Sequence, residues 1–286
     1  MIPPLGLLLD VDGPISSPVE RRIVIPSIIT DLVTLARLGV PIAFITGRSD
    51  TFLRDKVVGP LIAAGLPGGA RMFGVCEKGG VWFPISSEGI GDIVIDKDLA
   101  LPDDFAVAFR DLAEARFSNT MFFDDTKHAM VSLEQNPDVT SEEYQQAQRV
   151  VNQEAFDLLV EYGLGARYGD LELPDAYGLI NFRVDPTIIS TDVESVLLDK
   201  DRGAARALDF FRESGELPTL WRTVGDSRSD YLMADYLHSE GFDVAHVDVR
   251  PSDGVLQKPY RVILEGDLLH DEAGAAFLRH WVRTLG

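Results

Sequence analysis

The sequence predicts an α/β fold, a doubly wound Rossmann-like parallel sheet, with a second α+β domain inserted into it. The first observation is a set of short runs rich in Leu, Ile and Val, which are typical of parallel strands buried on both faces. The second is that segments with helical spacing, ending at glycine, alternate with these runs. The third is that this alternation stops between about residues 86 and 193.

Five segments are predicted to be strands of the parallel sheet, namely residues 5–10, 40–48, 219–226, 242–249 and 260–264. The clearest helices between them are residues 27–39 and 229–241, and residues 70–83 predict a β-hairpin. Strand, helix and parallel strand in succession are expected to form right-handed crossovers, as in other doubly wound sheets.

The inserted region predicts an α+β domain with the element order αββαββ. Its predicted helices are residues 103–117 and 141–163, and its predicted strands are residues 119–125, 128–135, 166–173 and 177–185. Strands that follow one another directly favour an antiparallel sheet. The predicted domains are therefore residues 1–85 with 194–286, and the insertion of residues 86–193.

The composition narrows the range of partners and of compartments. The 286 residues carry a formal net charge of -20, which disfavours nucleic acid and anionic membrane surfaces as partners. Cys76 is the only cysteine, so no intramolecular disulfide forms. No window approaches the ~18 apolar residues of a membrane helix. We expect a soluble cytoplasmic protein, either a monomer or a homodimer.

Four aspartates follow predicted strands, at the sheet edge where ligands bind in such folds. Asp10 and Asp12 stand two residues apart after the first strand, so their side chains point to the same side. Asp226 and Asp230, in "VGDSRSD", are near each other at the start of a helix. Converging carboxylates favour Mg²⁺ over zinc. For single residues other interpretations stay open: Asp12 in a turn, Asp226 as a helix cap, Asp230 on a solvated first turn.

Two further features suit an anionic ligand. Thr46 and Gly47, in "FITGRSD", offer a hydroxyl and backbone amides ahead of a helix. Lys200 precedes another predicted helix. Each signal is weak alone, because a strand-to-helix turn needs glycine and a single lysine is commonly a solvated charge.

Together these segments resemble, in order, the four motifs of the haloacid dehalogenase superfamily. They are "DVDG", "TGR", a lysine before a helix, and "GDSRSD". The insertion between the second and third motifs is similar to the cap of the sugar-phosphatase branch, which includes Cof-type, sucrose-phosphate, mannosyl-phosphoglycerate and trehalose-phosphate phosphatases. "CEKGG" resembles the Glu-Asn-Gly hairpin of that branch, with Lys78 in place of Asn. The resemblance covers essentially the whole chain.

The resemblance implies a Mg²⁺-dependent phosphatase that acts on a small phosphorylated sugar or polyol through an aspartyl phosphate. It implies that Asp10 is the nucleophile and Asp12 the general acid and base, while Thr46 and Lys200 hold phosphoryl oxygens. The metal ligands that it implies are Asp10, the backbone carbonyl of Asp12, Asp226 and, directly or through water, Asp230.

The remaining phosphate- or substrate-binding candidates are Gly13, Gly47, Arg48, Lys127, His128, Arg183 and Arg202. Lys127 and His128 lie between two predicted strands of the insertion, and Arg183 lies on a later one. A solvated turn or strand face is the alternative for each of these three. Two other functions also stay open: a sugar-phosphate mutase or phosphotransferase, and a non-catalytic sugar-phosphate-binding protein.

Arg202 is an alternative to Lys200 as the cation that binds phosphate. Relatives often have Lys and Gly side by side, whereas here Asp201 and Arg202 separate Lys200 from Gly203. The apolar pattern of the helix that follows favours Lys200, because it keeps the spacing found when that lysine begins the helix.

Overall fold

A computed structural model describes residues 3–286. The chain divides into two compact units, Met1–Val94 with Asp199–Gly286, and Ile95–Leu198. The second unit begins and ends later in the chain than the predicted insertion of residues 86–193. The later beginning has a simple cause, because the chain after residue 86 still forms short strands that pair within the sheet of the first unit.

Up to the second unit, the elements are β1 (Gly6–Leu9), α1 (Pro26–Arg37), β2 (Ile42–Ile45), α2 (Asp50–Leu53), α3 (Gly59–Ala63), β3 (Met72–Cys76), β4 (Val81–Ser86), β5 (Gly89–Ile90) and β6 (Val94–Ile95). The second unit contains α4 (Asp103–Arg116), β7 (Met121–Phe123), β8 (Val131–Gln135), α5 (Ser141–Glu161), β9 (Ala166–Tyr168), β10 (Leu171–Leu173), β11 (Phe182–Pro186) and β12 (Ser190–Ser195). The first unit then continues with α6 (Lys200–Ser214), β13 (Leu220–Gly225), α7 (Tyr231–Ser239), β14 (Asp243–Asp248), β15 (Arg261–Ile263) and α8 (His270–Leu285).

The sheet of the first unit confirms the predicted fold class. Its strand order is β15-β14-β13-β1-β2-β3-β4-β5, with β6 beside β4. The strands from β15 to β3 are all parallel, and β4 and β5 add an antiparallel edge. Every residue of β1 and β2 is buried, as expected for strands covered on both faces. Because β1 lies between β2 and β13, the carboxyl ends of these three strands are neighbours.

Helices α6 and α7 pack on this sheet through one apolar cluster. The cluster includes Leu8, Ala43, Ile45, Phe73, Val75, Ala204, Ala207, Leu208, Phe211, Met233, Ala234 and Leu237. Gly203 permits the close approach of α6, since a Cβ there would lie 2.4 Å from Cγ2 of Ile45. This approach fixes the beginning of α6, and therefore Lys200, against the ends of the central strands.

The second unit has the predicted α+β class, but the predicted order αββαββ was incomplete. Its six-stranded sheet has the order β10-β9-β11-β12-β8-β7, and β9 pairs with β11 in parallel. The predicted strand of residues 166–173 is a hairpin of two short strands, which turns at Gly169 with φ 56°. Strand β12, "STDVES", was not predicted, because it has a single apolar residue. Its six residues are nevertheless buried in the middle of the sheet.

The apolar core of the second unit lies between its sheet and its two helices, with Phe105 and Phe109 from α4 and Tyr144, Val151 and Phe156 from α5. The long helix α5 begins with a capping box, in which Thr140 and Glu143 satisfy each other's backbone amides. Among residues 3–286, no helix combines the length and the apolar character needed to cross a membrane.

Candidate active site

The predicted strand-end residues meet at the carboxyl edge of the central strands in the first unit. Asp10 follows β1, and its backbone N–H donates to the carbonyl of Val224 on β13 at 2.9 Å. Thr46 follows β2, and its backbone N–H donates to the carbonyl of Val75 on β3 at 2.9 Å. Both residues therefore continue the hydrogen-bond ladders of the sheet, which holds their backbone in place.

Lys200 lies at the centre of the site and is only 6% exposed. Its Nζ lies 2.5 Å from Oδ1 of Asp10 and 2.8 Å from Oδ1 of Asp230, and it donates to the carbonyl of Ile45 at 2.7 Å. The contacts with Asp10 and Ile45 are hydrogen bonds, and the contact with Asp230 is an ion pair. Burial alone would lower the pKa of Lys200, but the carboxylates of Asp10 and Asp230 raise it above its usual range.

Three carboxylates gather around this ammonium. Asp10, Asp226 and Asp230 each offer an oxygen within 4.8 Å of the others. Burial, with the repulsion of neighbouring aspartates, raises the pKa of Asp10 well above its usual range against the opposing effect of Lys200. Burial and Asp230 raise the pKa of Asp226 to about 6. Two of the three groups thus hold a negative charge unfavourably, and a bound cation would relieve that cost.

Asp230 differs from the other two carboxylates because it also organises the loop that carries Asp226. Its Oδ2 accepts hydrogen bonds from the backbone N–H of Asp226 at 3.0 Å, and from the backbone N–H and hydroxyl of Ser227 at 2.9 and 2.7 Å. Burial would raise the pKa of Asp230, but Lys200 and the Ser227 hydroxyl lower it. A Cβ on Gly225 would lie 2.1 Å from Cβ of Asp230, so glycine is required there.

Asp12 is held by a different cation. The guanidinium of Arg48 donates from Nε to Oδ2 of Asp12 at 2.9 Å and from Nη2 to Oδ1 at 3.2 Å. Gly13 adopts φ 95°, and a Cβ there would lie 2.8 Å from the side chain of Asp226. The glycine therefore lets the loop after β1 pass directly beside the loop after β13.

Lys200 and Arg202, the two candidate phosphate-binding cations, have different surroundings in the structure. Lys200 contacts Asp10, whereas the side chain of Arg202 packs beside Gly79, whose Cβ would lie 2.9 Å from Cγ of Arg202. Gly47 lies next to Lys78, since a Cβ on Gly47 would be 3.8 Å from Cε of that lysine.

Three candidates belong to the second unit. Arg183, on β11, donates to Oε1 of Glu194 from Nε at 3.0 Å and from Nη2 at 2.7 Å, and to the carbonyl of Leu198 at 2.9 Å. Lys127 and His128 lie in the turn between β7 and β8, where Lys127 is half-buried and His128 is exposed. Substrate contact by these three residues stays a prediction.

Two residues near the carboxylates were not predicted as site residues. Nη1 of Arg250 lies 3.8 Å, and Nδ1 of His270 3.9 Å, from Oδ2 of Asp226. Arg250 follows β14, so the strand-end rule that selected the aspartates extends to it. His270 carries no comparable signal, because a backbone hydrogen bond to Val249 at 2.8 Å brings it there from the start of α8.

The sequence matches no protein-family model and no curated protein. Solved structures share the fold. The C-terminal domain of C. albicans trehalose-6-phosphate phosphatase aligns with a TM-score of 0.63 at 14% identity, over 99% of this chain and 94% of that one. A haloacid dehalogenase-like hydrolase from Bacteroides thetaiotaomicron aligns with a TM-score of 0.58 at 12% identity, over 96% and 98%.

A third similar structure is the Aspergillus fumigatus trehalose-6-phosphate phosphatase, with a TM-score of 0.53 at 15% identity, over 99% of this chain and 93% of that one. Identities this low establish a shared fold. The chain therefore has the fold of the haloacid dehalogenase-like hydrolases, which its ordered motifs predicted.

Proposed function

We propose that the protein is a Mg²⁺-dependent phosphatase that hydrolyses a phosphorylated sugar or polyol through a phosphoaspartate at Asp10. One observation carries the proposal. The buried carboxylate of Asp10 is held on one oxygen by Lys200, in a cluster with two further carboxylates at the ends of parallel strands. A carboxylate held in this way is an oriented nucleophile.

A Mg²⁺ ion suits the donors of this cluster, because they are hard oxygen ligands with an excess of negative charge. Asp10, Asp226 and the backbone carbonyl of Asp12 would hold the ion. Asp230 is better suited to hold the loop, since its Oδ2 accepts three hydrogen bonds and its Oδ1 lies against Lys200. When bound, the ion supplies positive charge that lets an anionic phosphate approach anionic carboxylates.

The reaction then has two displacements at phosphorus. In the first, a carboxylate oxygen of Asp10 attacks phosphorus, the bond from phosphorus to the leaving oxygen breaks, and Asp12 gives that oxygen a proton. In the second, Asp12 takes a proton from a water molecule as the water attacks phosphorus, and the bond from Asp10 to phosphorus breaks. The products are an alcohol and inorganic phosphate, and both aspartates return to their starting states.

Thr46 and Lys200 support these steps in different ways. The Thr46 Oγ1 accepts a hydrogen bond from the backbone N–H of Arg48 at 3.1 Å, so its own O–H can donate to a phosphoryl oxygen. Lys200 donates to Asp10 and to the carbonyl of Ile45 and forms an ion pair with Asp230, so it fixes Asp10 and offsets charge beside it. This division of roles refines the prediction that both residues hold phosphoryl oxygens.

The substrate class follows from the fold that the chain shares with solved phosphatases. Two of the similar structures are trehalose-6-phosphate phosphatases, which favours a sugar phosphate.

The test is phosphate release from a panel of sugar, polyol and glycerate phosphates, with Mg²⁺ and with EDTA. We expect release in Mg²⁺ only, and its loss in Asp10→Asn. The control is Asp209→Asn, an exposed aspartate on α6 that contacts Arg212, and it should keep full activity. Isomerised sugar phosphate without free phosphate would indicate a mutase. Tight binding without release would indicate a binding protein, and near-normal turnover by Asp10→Asn would reject the mechanism.

A further inference from the structure

The sequence predicts Arg48 as a residue that binds phosphate or substrate, but its contacts in the structure indicate another role. Its guanidinium donates hydrogen bonds to both carboxylate oxygens of Asp12, with N···O distances of 2.9 and 3.2 Å. A planar guanidinium that pairs with a carboxylate through two hydrogen bonds fixes the orientation of the carboxylate as well as its distance. A single hydrogen bond would leave the Asp12 side chain free to rotate.

Arg48 is itself held on several sides. Its backbone N–H donates to Oγ1 of Thr46 at 3.1 Å, and its carbonyl accepts from the backbone N–H of Glu77 at 3.1 Å. Its guanidinium carbon lies 4.9 Å from the centre of the Phe52 ring, and its side chain is 14% exposed. The loop that contains Thr46 therefore also fixes the position of the Arg48 guanidinium.

Asp12 is the less constrained partner. Its side chain is 34% exposed, and it lies in the loop after β1 rather than in the strand. A carboxylate with that much access to water has several available rotamers. Fixing one of them removes an entropic cost from each proton transfer.

We propose that Arg48 is a positioning residue that acts through Asp12. The assignment rests on the proposed function. In the first displacement, the acid form of Asp12 gives its proton to the leaving oxygen while the bond from phosphorus to that oxygen breaks. The guanidinium then stabilises the carboxylate that remains. In the second displacement, the same guanidinium orients the Asp12 carboxylate toward the water molecule, and the carboxylate takes a proton from that water.

Leaving groups of different basicity separate this role from phosphate binding. The alkoxide of a sugar or polyol needs a proton as it leaves, whereas p-nitrophenolate does not. A residue that positions the proton donor affects kcat/KM for the alkyl ester and hardly affects kcat/KM for p-nitrophenyl phosphate. A residue that binds the phosphoryl group lowers both values equally, since both substrates carry the same group.

The experiment compares Arg48→Met, Arg48→Lys, Asp12→Asn and the double variant with the wild type. The substrates are the best alkyl phosphate of the panel and p-nitrophenyl phosphate. We expect Arg48→Met to lower kcat/KM about 100-fold for the alkyl ester, within the range for general acid catalysis, and less than about 3-fold for p-nitrophenyl phosphate. Arg48→Lys should restore part of the loss. Because Arg48 acts through Asp12, the double variant should lose no more than Asp12→Asn alone.

A second readout follows from the second displacement. With p-nitrophenyl phosphate, Arg48→Met should release a rapid burst of about one p-nitrophenolate per enzyme molecule and then turn over slowly, because water activation also depends on Asp12. The matched control is Arg54→Met, an exposed arginine that pairs with Asp55 in the π-helical turn after α2. This variant should have the same kcat/KM as the wild type for both substrates, and it should show no burst.

Three outcomes would overturn the assignment. Equal losses of kcat/KM for the two substrates would make Arg48 a phosphate ligand. Additive losses in the double variant would show that it acts independently of Asp12. No phosphate release by the wild type from any compound would overturn the proposed function, and this assignment with it. Circular dichroism and thermal melting establish folding, and Arg48→Lys provides the comparison if Arg48→Met does not fold.

Discussion

Both units of the protein bury charged side chains, but they balance the charge differently. In the second unit, Arg183 and Glu194 are direct neighbours on adjacent antiparallel strands, and so are Asp192 and Ser132, whose side chains are 2.6 Å apart. Each of these carboxylates meets its donor through the register of the sheet. In the first unit, three carboxylates cluster together and Lys200 contacts two of them.

This difference distinguishes buried charges that the folded chain neutralises by itself from buried charges that a bound cation would neutralise. The charge of Glu194 is compensated by Arg183 whenever the sheet forms, and Asp192 gains the hydrogen bond from Ser132 in the same way. The surplus at Asp10 and Asp226 is compensated only in part, and burial raises the pKa of both groups. Uncompensated buried charge is costly, and it is found where a site has a chemical task.

The largest effect on stability is expected when Lys200 is removed. Lys200→Met leaves the buried carboxylates of Asp10 and Asp230 without their shared cation, which should cost about 3–5 kcal/mol of unfolding free energy. Urea unfolding in EDTA measures the loss. Because the proposed Mg²⁺ site exists only in the folded cluster, Mg²⁺ should restore more stability to this variant than it adds to the wild type. The control is Lys56→Met, at an exposed lysine, which should change neither the stability in EDTA nor the stabilisation by Mg²⁺. If Lys200→Met is as stable as the wild type, the buried ion pairs of Lys200 do not stabilise the fold.

The pH dependence of stability tests the charge surplus at Asp226. Its pKa is raised to about 6 in the folded protein from 3.8, so the folded state binds this proton more tightly than the unfolded state does. The resulting stability is fully present below pH 3.8 and is lost as the pH rises through about 6, with a change of about 3 kcal/mol. Urea unfolding between pH 4 and 7 in EDTA should show this loss in the wild type and a smaller loss in Asp226→Asn, where the raised pKa of Asp10 still contributes. Identical pH profiles of stability for the wild type and Asp226→Asn would contradict a raised pKa at Asp226.

A smaller effect, without any response to metal, is expected in the second unit. Arg183→Met removes the cation that contacts fully buried Glu194, and we expect a loss of about 2 kcal/mol. Arg167→Met breaks the exposed pair with Glu172 in the same sheet and should cost less than about 1 kcal/mol. Added Mg²⁺ should stabilise Arg183→Met no more than it stabilises the wild type. A specific metal rescue of Arg183→Met would erase the proposed contrast between the two units.

The sequence was most informative where chemistry and strand geometry coincide. Parallel strands end at one edge, so an apolar run followed by a polar residue predicts both the strand and the position of that residue. Asp10, Thr46 and Asp226 follow this rule. Lys200 could be placed at the beginning of a helix, but its contact with Asp10 depends on how closely Gly203 lets that helix approach the sheet.

Other features depend on packing that periodicity does not record. Strand β12 is polar in sequence and buried in the structure, because β11 supplies the guanidinium of Arg183 to Glu194 and β8 supplies the hydroxyl of Ser132 to Asp192. The pairing of Arg48 with Asp12 joins residues that are 36 positions apart on loops after adjacent strands. Adjacent strand ends bring the two loops together, but only the side-chain conformations decide which cation meets which carboxylate.

The proposed phosphoaspartate is tested most directly by detecting a phosphoryl group on Asp10. Asp12→Asn, in which the second displacement is slowed, is mixed with p-nitrophenyl phosphate and Mg²⁺, quenched in acid, digested and analysed by mass spectrometry. We expect one phosphoryl group on the peptide that contains Asp10, and none when Asp10→Asn is added to the same variant. Release of p-nitrophenolate with no phosphorylated peptide, or phosphorylation that survives the Asp10→Asn substitution, would contradict it.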